Sequence, residues 1–202
     1  MRSAPILFLI ALAVAVLLTP SAHAHVDAGE TSGFLAGLLH PLTGLDHIVA
    51  MVAIGLWAIQ IGGRAIWTVP LAFVVTMAIG GTLGMLGVPF PGIEVGIVAS
   101  DLLLGLAILF APPLPLLVSG GVAAFLALFH GYAHGTEMAP GSPALLYSLG
   151  FLLSTIGLHL AGILAGYGIK QIKPDRDYPI RVAGGVVVAV SLYILANFLN
   201  IL

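Results

Sequence analysis

Apolar residues run along this chain in long stretches, broken by short sequences rich in glycine and proline. A run of about 20 apolar residues is the length that crosses the hydrocarbon core of a bilayer as a helix. Six such spans are predicted: 41–61, extendable backwards through 33–39, then 66–87, 93–110, 114–133, 144–169 and 179–202. Turn sequences punctuate them, namely Gly62-Gly63-Arg64, Pro89-Phe90-Pro91-Gly92, Pro112-Pro113 and Pro140-Gly141-Ser142-Pro143. The expected fold is therefore all-α, a polytopic bundle of about six transmembrane helices.

The apolar stretch at 6–18 is shorter and differently flanked. Met1-Arg2 gives a positive start, Pro20 follows the stretch, and Ala22-His23-Ala24 is a small-x-small cleavage sequence. That order predicts a secretory signal peptide at 1–24, with 25–202 as a single transmembrane domain and His25 as its new N-terminus.

Composition agrees with a lipid-facing surface. Only 7% of residues are charged and the mean hydropathy is +1.17, whereas a soluble domain carries about a quarter charged residues. A net charge of −2 gives no basic surface for nucleic acid. Cysteine is absent, which removes disulfides, thiolate metal sites and iron–sulfur clusters. Glycine is abundant, and segments such as 80–84 and 162–166 give small faces for close helix contact within one subunit; they leave the oligomeric state open.

Orientation follows from two independent features. With the N-terminus exported, the connections after spans one, three and five face the cytoplasm. The basic residues beyond the signal are Arg64, Lys170, Lys173, Arg176 and Arg181, all in or beside the first or fifth connection. That matches the positive-inside tendency and puts both termini on the outer side of a bacterial inner membrane.

Ionisable groups in a bilayer cost a few kcal/mol or more and ordinarily have a partner and a purpose. Here they share a depth. His40, Asp46 and His47 open the first span, Glu94 and Asp101 open the third, and His130, His134 and Glu137 close the fourth. All three groups fall at the outer side; only His159 lies deeper. His40, Gly44, His47 and Met51 recur every three or four residues, as do His130, His134 and Glu137, so each set is expected on one helical face. Imidazole with carboxylate is an intermediate donor set suited to nickel, cobalt, zinc or iron(II). Taken singly, each group also fits a structural role: a hydrogen-bonded turn at the first span, solvated histidines after the fourth, and for Glu94 a complement to a helix dipole. His25 can chelate only if cleavage exposes its amine.

The segments His40-Pro41-Leu42-Thr43-Gly44-Leu45-Asp46-His47 and Phe129-His130-Gly131-Tyr132-Ala133-His134-Gly135-Thr136-Glu137 strongly resemble the HupE/UreJ family. Its members are hydrogenase- and urease-associated membrane proteins, regarded as nickel and in some cases cobalt permeases. The resemblance runs nearly the whole chain. The first motif also looks like the His-x4-Asp-His signature of a larger nickel/cobalt transporter family, with one extra residue. By resemblance, His40, Asp46, His47, His130, His134 and Glu137 are metal-handling positions, with Asp101, Glu94, His159 and His25 as further candidates. The implied partners are the bilayer and a transported divalent cation, with nickel first and cobalt or zinc next.

Two other functions use the same residue types. An intramembrane hydrolase would activate water on a zinc ion held by three ligands, and an accessory protein would bind metal without moving it. Ligation requires deprotonated imidazoles. Nickel uptake by reconstituted vesicles is therefore expected to fall as the outer pH drops through about 6.5, measured against a constant nickel concentration.

Overall fold

A computed structural model describes residues 33–138, 141–172 and 177–199. Within them the chain forms α1 (Phe34–Leu39), a 3-10 turn (His40–Leu42), α2 (Leu45–Ile61), α3 (Ala65–Met85), α4 (Ile93–Phe110), α5 (Leu116–Glu137), α6 (Ala144–Ile172) and α7 (Tyr178–Phe198). There is no strand among the described residues. The segment 1–24, His25, Lys173 and Arg176 lie outside them.

Helices α3 to α7 are each long and apolar enough to cross a membrane, and the bent pair 34–42 with 45–61 makes a sixth span when taken together. That pair departs from the expectation of one straight first helix. Its two limbs meet at 82°, because Gly44 adopts an extended backbone (φ −97°, ψ 126°) in front of α2. The Thr43 hydroxyl and amide both donate to the His40 carbonyl, at 2.7 and 3.1 Å, and close the turn. A side chain at Gly44 would press on Asp46 Oδ1 and His47 Nδ1, so glycine is what lets these two fold back over the bend. The fourth span is also longer than expected: α5 continues to Glu137, so the whole second motif is helical.

Glycine contacts hold the bundle together in pairs. Between α3 and α5, a methyl group at Gly80, Gly84, Gly131 or Gly135 would collide with a backbone carbonyl, those of Leu128, Tyr132, Met77 and Gly81 respectively. The same reciprocity joins α2 to α6 through Gly55 and Gly162, and α1 to α6 through Gly37 and Gly150. Backbones this close gain dispersion contacts that lipid cannot supply, the usual basis of helix association in a bilayer. Around them Trp57, Phe73, Met51, Ile54 and Met77 fill the interior, while Leu117 and Leu145 stand outward, 88% and 73% exposed. Apolar side chains on both surfaces are what a lipid solvent requires.

The opposite ends of the bundle differ in charge. His40 and His47 sit at the start of α2; at its far end Lys170 donates to the Ile59 carbonyl at 2.7 Å, satisfying a C-terminal backbone group that has no helical partner. Arg64 and Arg181 lie at that same end, beside the start of α3 and in the first turn of α7.

Gly131→Ala is expected to destabilise the α3–α5 pair by about 1–3 kcal/mol, since the added methyl meets backbone that cannot yield. Gly120→Ala, where nothing lies near the added carbon, should not destabilise and is expected to gain up to about 1 kcal/mol of helix propensity. Thermal unfolding of both variants in detergent checks the contrast.

Candidate metal centre

The 82° bend, rather than a continuous helical face, brings His40 back towards His47. Their rings lie 6.3 Å apart, centroid to centroid, on either side of the break. From α5, His134 stands between them, its ring 4.8 Å from His40 and 4.1 Å from His47. Glu137, one turn further towards the end of α5, reaches His40 Nε2 at 3.1 Å and His134 Nδ1 at 3.7 Å. The direction of α5 follows from its glycines. Gly131 and Gly135 directly follow His130 and His134, and their contact with α3 fixes the helix rotation and so the imidazole direction.

His40, His47, His134 and Glu137 each offer a ligand atom, and the four atoms lie within 4.8 Å of one another. Bonds of roughly 2.1 Å put tetrahedral ligands about 3.4 Å apart, so the set closes on a divalent ion with shifts of about an ångström or less. Exposure grades across it: Glu137 is exposed and His40 partly so, while His47 and His134 are buried. The cluster therefore opens to one end of the bundle and closes inward. Both nitrogens of His47 and of His134 lack a hydrogen-bond partner among the described residues. Buried polar atoms are nearly always satisfied; each of these two rings could offer one nitrogen to an ion, and at His47 the other nitrogen faces Asp46.

The remaining candidates take different places. Asp46 lies on His47, Oδ1 to Nδ1 at 2.6 Å. A carboxylate there holds the Nδ1 proton on its own side and leaves Nε2 to face a cation. His130, one turn below His134, points its Nε2 at Ser100 Oγ (2.8 Å) and Asp101 Oδ1 (3.4 Å). Glu94 is exposed in the first turn of α4 and stands apart from the four. His159 is buried lower in α6, edge-on to Phe73 at 5.2 Å, with neither nitrogen partnered among the described residues.

Sequence reasoning left out the wall of the site. Phe151 packs against His134 at 4.2 Å and Tyr147 lies 5.9 Å from His40, its hydroxyl buried without a partner among the described residues. The signal was available: Tyr147, Phe151, Thr155 and His159 recur every four residues on α6 and all are buried. Ser100 was likewise legible only as a neighbour of Asp101.

Residues 12–194, carrying both motifs of the site, match the family described as HupE / UreJ protein. The chain belongs to the HupE/UreJ family. It is 44% identical over 185 residues to Protein HupE of Rhizobium leguminosarum bv. viciae, an alignment that covers 91% of this chain and 95% of the relative. No solved structure matches it. In this HupE/UreJ chain the two motifs are thus two halves of one cluster: His40 and His47 come from the first, His134 and Glu137 from the second.

Asp46→Asn is expected to weaken Co2+ binding by about 10–100-fold while leaving the positions of the ligand-field bands unchanged, because Asp46 orients a ligand without being one. His134→Ala should lose affinity further and shift the bands. Absorption titration of the detergent-purified protein reads both, and bands displaced by Asp46→Asn would make Asp46 a ligand.

Proposed function

We propose that this chain is a divalent-metal permease of the bacterial inner membrane, and that nickel, with cobalt as the next ion, is its cargo for metalloenzyme maturation. One observation carries the reading. Three imidazoles and a carboxylate, drawn from the two sides of the bend and from α5 in a membrane-spanning bundle, gather at an end open to solvent. A hydrated ion arriving there meets the exposed Glu137 first and exchanges waters for His40, His47 and His134 in order of burial. Nickel is the preference because imidazole with a single carboxylate suits the later first-row divalent ions, and because membership of this family relates the chain to hydrogenase and urease accessory proteins.

Direction follows from charge. Arg64, Lys170 and Arg181 mark the end opposite the cluster, and basic residues favour the cytoplasmic side. The cluster then faces outward, the chain termini lie on the same outer side, and the centre works in uptake. Four protein ligands leave no open coordination position for a hydrolytic water, the arrangement that distinguishes a holding site from a catalytic one. That favours transport or storage over hydrolysis.

The experiment is nickel accumulation in vesicles carrying the purified protein, with His47→Ala and Asp46→Ala beside the wild type. Uptake is expected in the wild type, with a fall to near background in His47→Ala and a strong fall in Asp46→Ala, both proteins still in the membrane. Wild-type binding without accumulation would make the chain a storage or accessory protein. Unchanged accumulation in both variants would end the permease reading at this site.

A further inference from the structure

Below the four-ligand cluster lies a second set of buried polar groups that the cluster does not use. Asp101, in the third turn of α4, is 1% exposed; neither of its oxygens has a hydrogen-bond partner among the described residues, and its one polar approach is Oδ1 to His130 Nε2 at 3.4 Å. A carboxylate buried at that depth is costly unless a cation meets it. Its neighbour His130 is also 1% exposed, and a hydrogen-bond chain fixes which of its nitrogens is free. The Ser100 hydroxyl donates its one proton to the Ile97 carbonyl at 2.7 Å, so its oxygen accepts from His130 Nε2 at 2.8 Å. Nε2 therefore carries the ring proton, and Nδ1 keeps its lone pair, buried and without a partner.

We propose that the Asp101 carboxylate is the anionic half of a second cation station beside His130, whose Nδ1 is the free imidazole nitrogen there, one helical turn inward of the first, and that a single ion passes from one to the other past His47. This deepens the permease reading by placing the step that follows capture. His130 lies four residues from His134 on α5, about 6 Å along the axis. The His47 ring neighbours both stations, 4.1 Å from the ring of His134 and 5.8 Å from that of His130. An ion leaving Glu137 and His40 therefore keeps one imidazole while it gains the Asp101 carboxylate, and is never stripped of ligands between stations. Two divalent ions at such a separation repel strongly in a medium of low dielectric, so the stations fill in turn.

The test uses Co2+ with the full-length protein in detergent and in vesicles. Removing the outer ligands with His40→Ala plus Glu137→Gln should leave a weaker Co2+ site, and adding Asp101→Asn to that protein should abolish it. In the otherwise wild-type protein, Asp101→Asn should change Co2+ affinity by less than about threefold yet lower uptake by at least roughly tenfold, since the outer ligands remain. His130→Gln keeps a donor for Ser100 and removes the Nδ1 lone pair; in the same two backgrounds it gives the same pair of results, so the outcome does not hang on one variant's folding. Loss of all Co2+ binding on removing the outer ligands, equal weakening by Asp101→Asn in both backgrounds, or unaltered uptake would each overturn the second station. Vesicles of the wild type that accumulate nothing would instead overturn the permease reading, and the binding comparison would still decide the station.

Discussion

Polar atoms buried without hydrogen bonds govern this molecule. At membrane depth there is no water to satisfy an imidazole nitrogen or a carboxylate oxygen, and each one left bare costs free energy. Yet His47, His134, His130, Asp101 and His159 all carry such atoms among the described residues. A bundle that only needed to be stable would replace them with leucine or close them on one another. All but His159 fall in two adjoining groups, one reaching solvent and one sealed, and that grouping is the physical content of the metal reading.

Holding those groups in place falls to the backbone. The glycines that let α3 and α5 touch leave α5 no freedom to rotate, and those pairing α2 with α6 and α1 with α6 do the same around the bend. Rigid helices aim histidines more reliably than loops do, which matters when ligand atoms must stay within a few ångströms of one another. The bend at Gly44 is the one irregular element, and it sits where His40 must leave the axis of α2 to face His134. Irregular backbone within a membrane protein is tolerated where it lines a site or is packed in protein, and here it lines the site, with Leu42 and Thr43 exposed.

Much of this was legible in the residues. Long apolar runs place five of the spans closely, because a lipid-facing helix needs apolar residues all round and turns need glycine or proline. The clustering of His40, Asp46, His47, His130, His134 and Glu137 at one depth was readable from their positions near span ends. Less legible was the division of labour among them. Asp46 turned out to lie on His47, and His130 to pair with Ser100 and Asp101, because a side chain's partner depends on which helix stands beside it. Glu94 shares a helix with Asp101, seven residues away, yet is exposed in the first turn while Asp101 is sealed in the core.

By itself the sequence determined that the chain is an all-helical membrane protein, where its spans run, and which residue types could meet a divalent cation. Those properties follow from hydropathy and spacing, which act along the chain. Only the tertiary structure decided that His40 and Glu137, 97 residues apart, lie 3.1 Å from each other, and that Tyr147 and Phe151 wall the site. It alone also separated the outer cluster from Asp101 and His130. Those relations depend on helix rotation and on an 82° bend, both set by backbone contacts between helices distant in sequence, and no local pattern carries that information.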